Sequence, residues 1–135
     1  LLASGVDVVY NMLDAAAAGV IETLAEKKAY AIGYFEDQLT LALKTILTSA
    51  VQNYGLAIET VAAIAKNGQM KGEIYTLGLD KPAILNVGDF STAVPETTKQ
   101  KVLQAKDALI AQNVTFEDCK INGKASWCLK VAKAA

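Results

Sequence analysis

The sequence predicts an α/β protein: a three-layer α/β/α unit around a mainly parallel sheet, followed by a C-terminal β-hairpin. Two observations carry that expectation. Short apolar runs rich in β-branched residues alternate with alanine-rich helical stretches in units of roughly 20–30 residues, the rhythm of βαβ connections. Glycine and asparagine fall at the joints, where the chain must reverse. The 135 residues are 53% hydrophobic and 20% charged, with a net charge of −1. A chain of this size can bury a core of its own.

The elements follow in order. Leu1-Leu2-Ala3-Ser4 reads as the tail of a helix closed by Gly5, so more chain is expected to precede it. Residues 6–12 form an apolar, β-branched run, expected as a strand buried on both faces. Asp14 stands where it can cap a helix over 15–28 by offering its carboxylate to unpaired amides. A second buried strand is expected over 29–35, a short helical crossover over 39–43 and a third strand over 44–51. Asn53 opens a long helix that Asn67-Gly68 closes. Residues 73–79 and 83–87 read as extended, separated by Asp80-Lys81-Pro82. Pro95 sits in the first turn of a helix running to about residue 112. Residues 115–129 read as a hairpin. The expected division is 1–112 for the α/β lobe and 113–135 for the hairpin extension.

Composition removes whole classes of function. The chain contains neither His nor Arg. Imidazole bases, Ser-His-Asp triads and His-containing zinc sites are therefore excluded within it, as are bidentate guanidinium clamps. A net charge of −1 and a pI near 5.4 argue against nucleic acid, which needs a basic face. No Gly-x-Gly-x-x-Gly follows a predicted strand and no Gly-x-x-x-x-Gly-Lys occurs, so nucleotide phosphates have no cradle. Charged residues break every long apolar run, and no membrane-spanning helix is expected. No cofactor and no metal are expected.

In parallel sheets ligands collect at the carboxyl ends of the strands. The stretches to inspect are therefore 11–14, 35–38 and 51–54. Within them Asn11 and Asp14 offer polar groups, with Asp14 read either as a helix cap or as an acceptor for a ligand N–H or O–H. Glu36 and Asp37 are adjacent carboxylates, read either as a solvated loop or as acid–base groups. Phe35 and Tyr54 are aromatic residues that either join the core or stack on a planar ring. Gln52 and Asn53 offer amides there, or serve to cap the next helix.

Cys119 and Cys128 flank a turn. A type II′ turn at Gly123-Lys124 would set them directly opposite each other, at disulfide distance. A turn at Asn122-Gly123 would instead oppose Cys119 to Ser126. The bridged reading is preferred over two buried thiols and implies an oxidising compartment.

Several of these stretches together resemble one family. Gly5-Val6-Asp7-Val8-Val9-Tyr10, Tyr30-Ala31-Ile32-Gly33 with Asp37-Gln38, and Leu47-Thr48-Ser49-Ala50-Val51 occur in order. Gly72, Tyr75-Thr76-Leu77-Gly78-Leu79 and Val94-Pro95-Glu96 complete the set. Over residues 1–112 the chain resembles the C-terminal part of the BMP (basic membrane protein) family of substrate-binding lipoproteins of bacterial ABC transporters. The resemblance implies a type I periplasmic-binding fold whose two lobes close on a solute without transforming it. It also implies a transporter permease as partner, a location outside the cytoplasm, and membrane attachment only through an N-terminal lipid anchor outside this chain.

The family's nucleoside-binding pattern is altered here. Leu13-Asp14-Ala15-Ala16 replaces its glycine-rich helix start. In Gly33-Tyr34-Phe35-Glu36-Asp37-Gln38, Phe35 stands where members carry the Asp that holds ribose hydroxyls. Gln52 replaces their Lys. Asp14, Asp37 and Asn53-Tyr54-Gly55 are similar to a branch suited to a free purine base. The resemblance thus implies a purine base, nucleoside or similar planar ligand, with Asn11, Asp14, Phe35, Asp37, Gln52, Asn53 and Tyr54 around it. A small α/β enzyme using Glu36 or Asp37 as a base, and an assembly module, are the readings from other classes.

Overall fold

The computed structural model describes residues 2–111 and the strand residues 114–116 and 129–131. They fall into two units, Leu1–Pro95 and Glu96–Ala135.

The first unit is built on a four-stranded sheet in the order β1-β2-β3-β4: Val8–Tyr10, Tyr30–Phe35, Ile46–Gln52 and Leu85–Val87. The first three strands are parallel, and β4 runs antiparallel to β3. Helix α1 (Ala17–Glu26) connects β1 to β2, and a single 3-10 turn (Leu39–Leu41) connects β2 to β3. Helix α2 (Tyr54–Lys66) follows β3 directly. The mainly parallel α/β sheet expected from the sequence is present.

Apolar spacing explains the core. Ile21 and Leu24 lie on one stripe of α1 and meet Ala29, Ala31 and Ile46, with Val9, Val20, Leu2 and Ala42 packed around them. Ala31 and Ile46 are fully buried and paired across β2 and β3. The opposite face begins with Val8, Tyr10 and Tyr30, each more than a third exposed. The expectation that β1 is buried on both faces is therefore corrected. It is a three-residue edge strand, too short and too peripheral for its outer face to be covered.

Both helices end in the same way. At α2 the Gln69 amide donates to the Ile64 carbonyl (3.0 Å) and the Gly68 amide to that of Ala65 (3.0 Å). With Gly68 at φ +68° this is a Schellman closure, as Asn67-Gly68 predicts. At α1 the Ala29 amide reaches the Leu24 carbonyl (2.9 Å) and that of Lys28 reaches Ala25 (3.2 Å). Here the left-handed position is filled by Lys28, at φ +57°.

Two other expectations are corrected. Asp14 does not cap α1: it lies inside a 3-10 turn (Asp14–Ala16) at φ +46°, and no side-chain cap bond forms at the start of that turn or of α1. Residues 73–79 pair with no described strand. The chain bends at Gly72; the Tyr75 hydroxyl accepts from the Lys71 amide (2.8 Å), and the Gly78 carbonyl accepts from that of Lys81 (2.9 Å) where the segment turns.

The second unit contains α3 (Glu96–Ile110), which starts directly after Pro95, and the antiparallel pair β5 (Val114–Phe116) and β6 (Leu129–Val131). Its register sets Phe116 opposite Leu129. The two cysteines, and with them the expected disulfide, lie outside the described residues.

Candidate functional site

The three parallel strands end side by side, and their tips carry a row of aromatic rings. Tyr10 closes β1, Tyr34 and Phe35 close β2, and Tyr54 opens α2 just beyond β3. The Tyr10 and Tyr34 rings meet edge to face at 6.1 Å, and those of Phe35 and Tyr54 lie 5.3 Å apart. Neighbouring strand residues ordinarily point to opposite faces. At Phe35 a φ of +78° turns the chain, and its ring stands 6.5 Å from that of Tyr34 and beside Tyr54. A left-handed aromatic residue costs energy that packing elsewhere must hold in place.

The phenols are linked. The Tyr34 and Tyr54 hydroxyls share a hydrogen bond of 3.2 Å, and Tyr54 donates to Gln52 Oε1. The bond to Tyr54 raises the Tyr34 phenol above its ordinary range, helped by burial and by the neighbouring acidic groups. Tyr10 is raised too, chiefly by burial and secondly by Tyr54.

Two of these rings, Tyr34 and Phe35, line a cavity of about 170 Å³ together with Asn11, Leu13, Asp14, Ala17, Glu36 and Gln38. Asn11 is 2% exposed, held by its amide bond to the Ile32 carbonyl (3.4 Å), which extends the β1–β2 ladder by one residue. The cavity is smaller than the ~300–1,000 Å³ of a complete ligand pocket. A second hollow of about 250 Å³ lies beside Gln52 and Tyr54, lined by Ala57, Leu77, Ile84 and Leu85.

Of the residues expected at the site, Asn11, Asp14 and Phe35 are thus gathered at one cavity, whereas Gln52 and Tyr54 line the second hollow, the Tyr54 ring standing beside that of Phe35. Asn53 caps α2, its Oδ1 accepting from the Leu56 amide at 3.0 Å. Asp37 lines neither cavity. Its Oδ1 accepts from the Leu39 amide (3.1 Å) and the Ser49 hydroxyl (3.4 Å), and its Oδ2 from the Asp89 amide (2.6 Å). Gly88 makes this possible, because a Cβ there would stand 2.8 Å from Asp37 Oδ2. Glu36 faces the cavity beside Gln38. Tyr10 and Tyr34 were not singled out in the sequence. Their signal is position: same-face residues at the ends of adjacent parallel strands. Among the described residues no group of His, Cys, Asp or Glu is placed to hold a metal ion, and no helix is long and apolar enough to cross a membrane.

Comparison with known proteins places this arrangement. The Bmp family, described as ABC transporter substrate-binding protein PnrA-like, matches residues 1–118. The chain belongs to this family. Among curated relatives, the transcriptional activator protein med of Bacillus subtilis (strain 168) is 35% identical over 98 residues, 73% of this chain and 31% of that protein. The crystal structure of a transcriptional activator of the comK gene from Bacillus halodurans superposes with a TM-score of 0.71 at 27% identity, over 81% of this chain and 38% of that one. An ABC transporter solute-binding protein from Aeropyrum pernix K1 superposes with a TM-score of 0.68 at 18% identity, over 90% of this chain and 43% of that one, and shares the fold. The chain therefore spans less than half the length of each of these proteins. PnrA-like proteins bind solutes as a family.

Proposed function

We propose that this chain supplies one wall of a solute-binding cleft and captures a small planar molecule, a purine base or a nucleoside-like compound, without transforming it. One observation carries the reading: four aromatic rings line the carboxyl ends of three parallel strands, two of them lining a partly polar cavity, in a chain of the PnrA-like family. Flat rings stack on aromatic rims, and polar groups beneath fix orientation. In this reading Asp14 and Asn11 contact the ligand, Phe35 and Tyr54 stack on it, and Gln52 orients Tyr54. Asn53 and Asp37 hold the flanking loops and act through them. Phe35 at the position where a ribose-binding carboxylate is expected favours a base over a sugar-anchored nucleoside. The partner on this reading is an ABC permease, with binding outside the cytoplasm and a lipid anchor beyond these residues.

Similarity to the med protein favours a second reading on the same scaffold, in which captured solute signals instead of being transported. Isothermal titration calorimetry of the full chain against purine bases, nucleosides and other small solutes tests capture. Binding of a planar base is expected, weak because this chain supplies one wall of the cleft, and tighter binding of a ribonucleoside through its sugar overturns the ligand assignment. Growth on the bound solute, with and without an ABC permease that takes it up, separates transport from signalling.

A further inference from the structure

Charge is sorted between the two ends of the sheet. Lys27 and Lys28 line a hollow beside Asp7 at the amino ends of β1 and β2, and Lys44 stands just before β3. At the carboxyl ends, the cavity that Tyr34 and Phe35 line carries two acidic side chains, Asp14 and Glu36, and no basic one. Both acidic residues are exposed, so a solute entering there meets them. The hollow beside Gln52 and Tyr54 is lined by no charged residue. Lys81, in the loop before β4, is paired with Asp80 at 2.8 Å. The chain has neither Arg nor His, so among the described residues neither hollow presents a cation to an anionic solute.

The rings impose a second, independent constraint. The planes of Tyr34 and Phe35 are inclined at 49° with centroids 6.5 Å apart, and those of Phe35 and Tyr54 at 47° with centroids 5.3 Å apart. A flat solute stacked parallel to one of these rings is therefore oblique to its neighbour. A positive centre is less demanding, because the negative face of each ring attracts it within about 6 Å of the centroid without parallel planes. The phenols add no donor. Tyr54 spends its one proton on Gln52, so the bond between the two hydroxyls runs from Tyr34 to Tyr54. After that bond, burial and the neighbouring phenols, the Asp14 carboxylate also raises the Tyr34 phenol, which places acid and ring within electrostatic reach of each other.

We infer that the strand-tip site selects a planar solute that carries a positive charge, of the class of N-alkylated pyridinium or protonated aminopyrimidine rings, over neutral and anionic rings of the same size. The charged centre lies against Tyr34 and Phe35, with Asp14 and Glu36 facing it. The inference rests on the proposed capture of a planar solute and adds the charge that is selected. An anionic ring is turned away because it would be brought beside two carboxylates with no cation to offset them.

Chemical-shift titration of the full chain tests this with four probes. Three share one ring and differ in charge: 1-methylnicotinamide is cationic, nicotinamide neutral and nicotinate anionic. The fourth, tetramethylammonium, is a cation without a ring. The cationic ring is expected to bind roughly tenfold more tightly than nicotinamide, with nicotinate weakest. Added salt should weaken the cation and leave nicotinamide unchanged. Asp14→Asn combined with Glu36→Gln should weaken the cation about three- to tenfold and move nicotinamide by less than about twofold. Asn tolerates the left-handed backbone of residue 14, and Glu36→Gln alone carries the test if the double variant does not fold. Equal affinity for the cationic and neutral rings, tighter binding of nicotinate, or unchanged cation affinity in the variants overturns the charge selection while planar capture stands. Tetramethylammonium bound as tightly as 1-methylnicotinamide overturns planar capture, because charge alone would then suffice. Failure of all four probes to bind overturns both.

Discussion

Phe35 holds its ring 5.3 Å from that of Tyr54, across the tips of two adjacent parallel strands, on a backbone bent to φ +78°. The pair is worth about 0.5–1.5 kcal/mol beyond the area it buries. Phe35→Leu and Tyr54→Leu should each weaken binding of a planar solute by roughly fivefold or more. The double variant should lose less than the sum of the two, because the rings support each other. Additive losses in a calorimetric double-mutant cycle would mean that the rings act independently.

The Tyr34 phenol is raised above the ordinary value near 10, first by its bond to Tyr54. A raised acid holds its proton more tightly in the folded state. Its contribution to stability is thus fully present below the unfolded value and disappears as pH climbs through the folded one. Ultraviolet titration should show late-ionising phenols, and Tyr54→Phe should bring Tyr34 back toward its ordinary range. An unchanged titration in Tyr54→Phe would remove the hydrogen bond as the cause.

Lys28 closes α1 at φ +57°, the position that Gly68 fills at the end of α2. A side chain in this conformation costs about 1–2 kcal/mol, partly offset by the greater entropy that glycine loses on folding. Lys28→Gly should stabilise the fold by up to about 1 kcal/mol, read as a higher midpoint in urea at constant m-value. The site should be unaffected.

Gly88 lies against the Asp37 carboxylate, where an added Cβ would stand 2.8 Å from Oδ2. Gly88→Ala should push the carboxylate off the Asp89 and Leu39 amides and destabilise the protein by about 1–3 kcal/mol. Asp37→Ala should cost a similar amount, and the two should not add, since both break the same contacts. Full additivity in chemical denaturation would show that the clash is relieved elsewhere.

Asn53→Ala removes the α2 cap and should cost about 1 kcal/mol. Its effect on solute affinity should be small beside that of Tyr54→Leu. A larger effect would make Asn53 a ligand contact rather than a cap.

The architecture was legible because hydrophobic period and joint residues are local properties. The runs around Val9, Ile32 and Ser49 became β1, β2 and β3, and Asn53 and Gly68 bound α2 at both ends as expected. The three strand-end stretches also met, since parallel strands bring their carboxyl ends together whatever the details of the turns. What escaped depends on tertiary context. Asp14 has the chemistry of a cap, but the turn out of β1 leaves it left-handed and one step out of place. Residues 73–79 have strand-forming side chains and found no described neighbour to pair with. Tyr10 and Tyr34 resemble core aromatics until β1 proves to be an edge. Asp37 reads as a free carboxylate because nothing local reveals that Asp89, distant in sequence, will hang from it.

That last contact makes the exit of β4 mechanically answerable to the exit of β2. A solute that draws the 35–38 segment inward tugs on Asp89 through one carboxylate, and a looser grip releases it. Under the proposed capture, the amide proton of Asp89 should exchange more slowly with deuterated solvent when the mouth is filled.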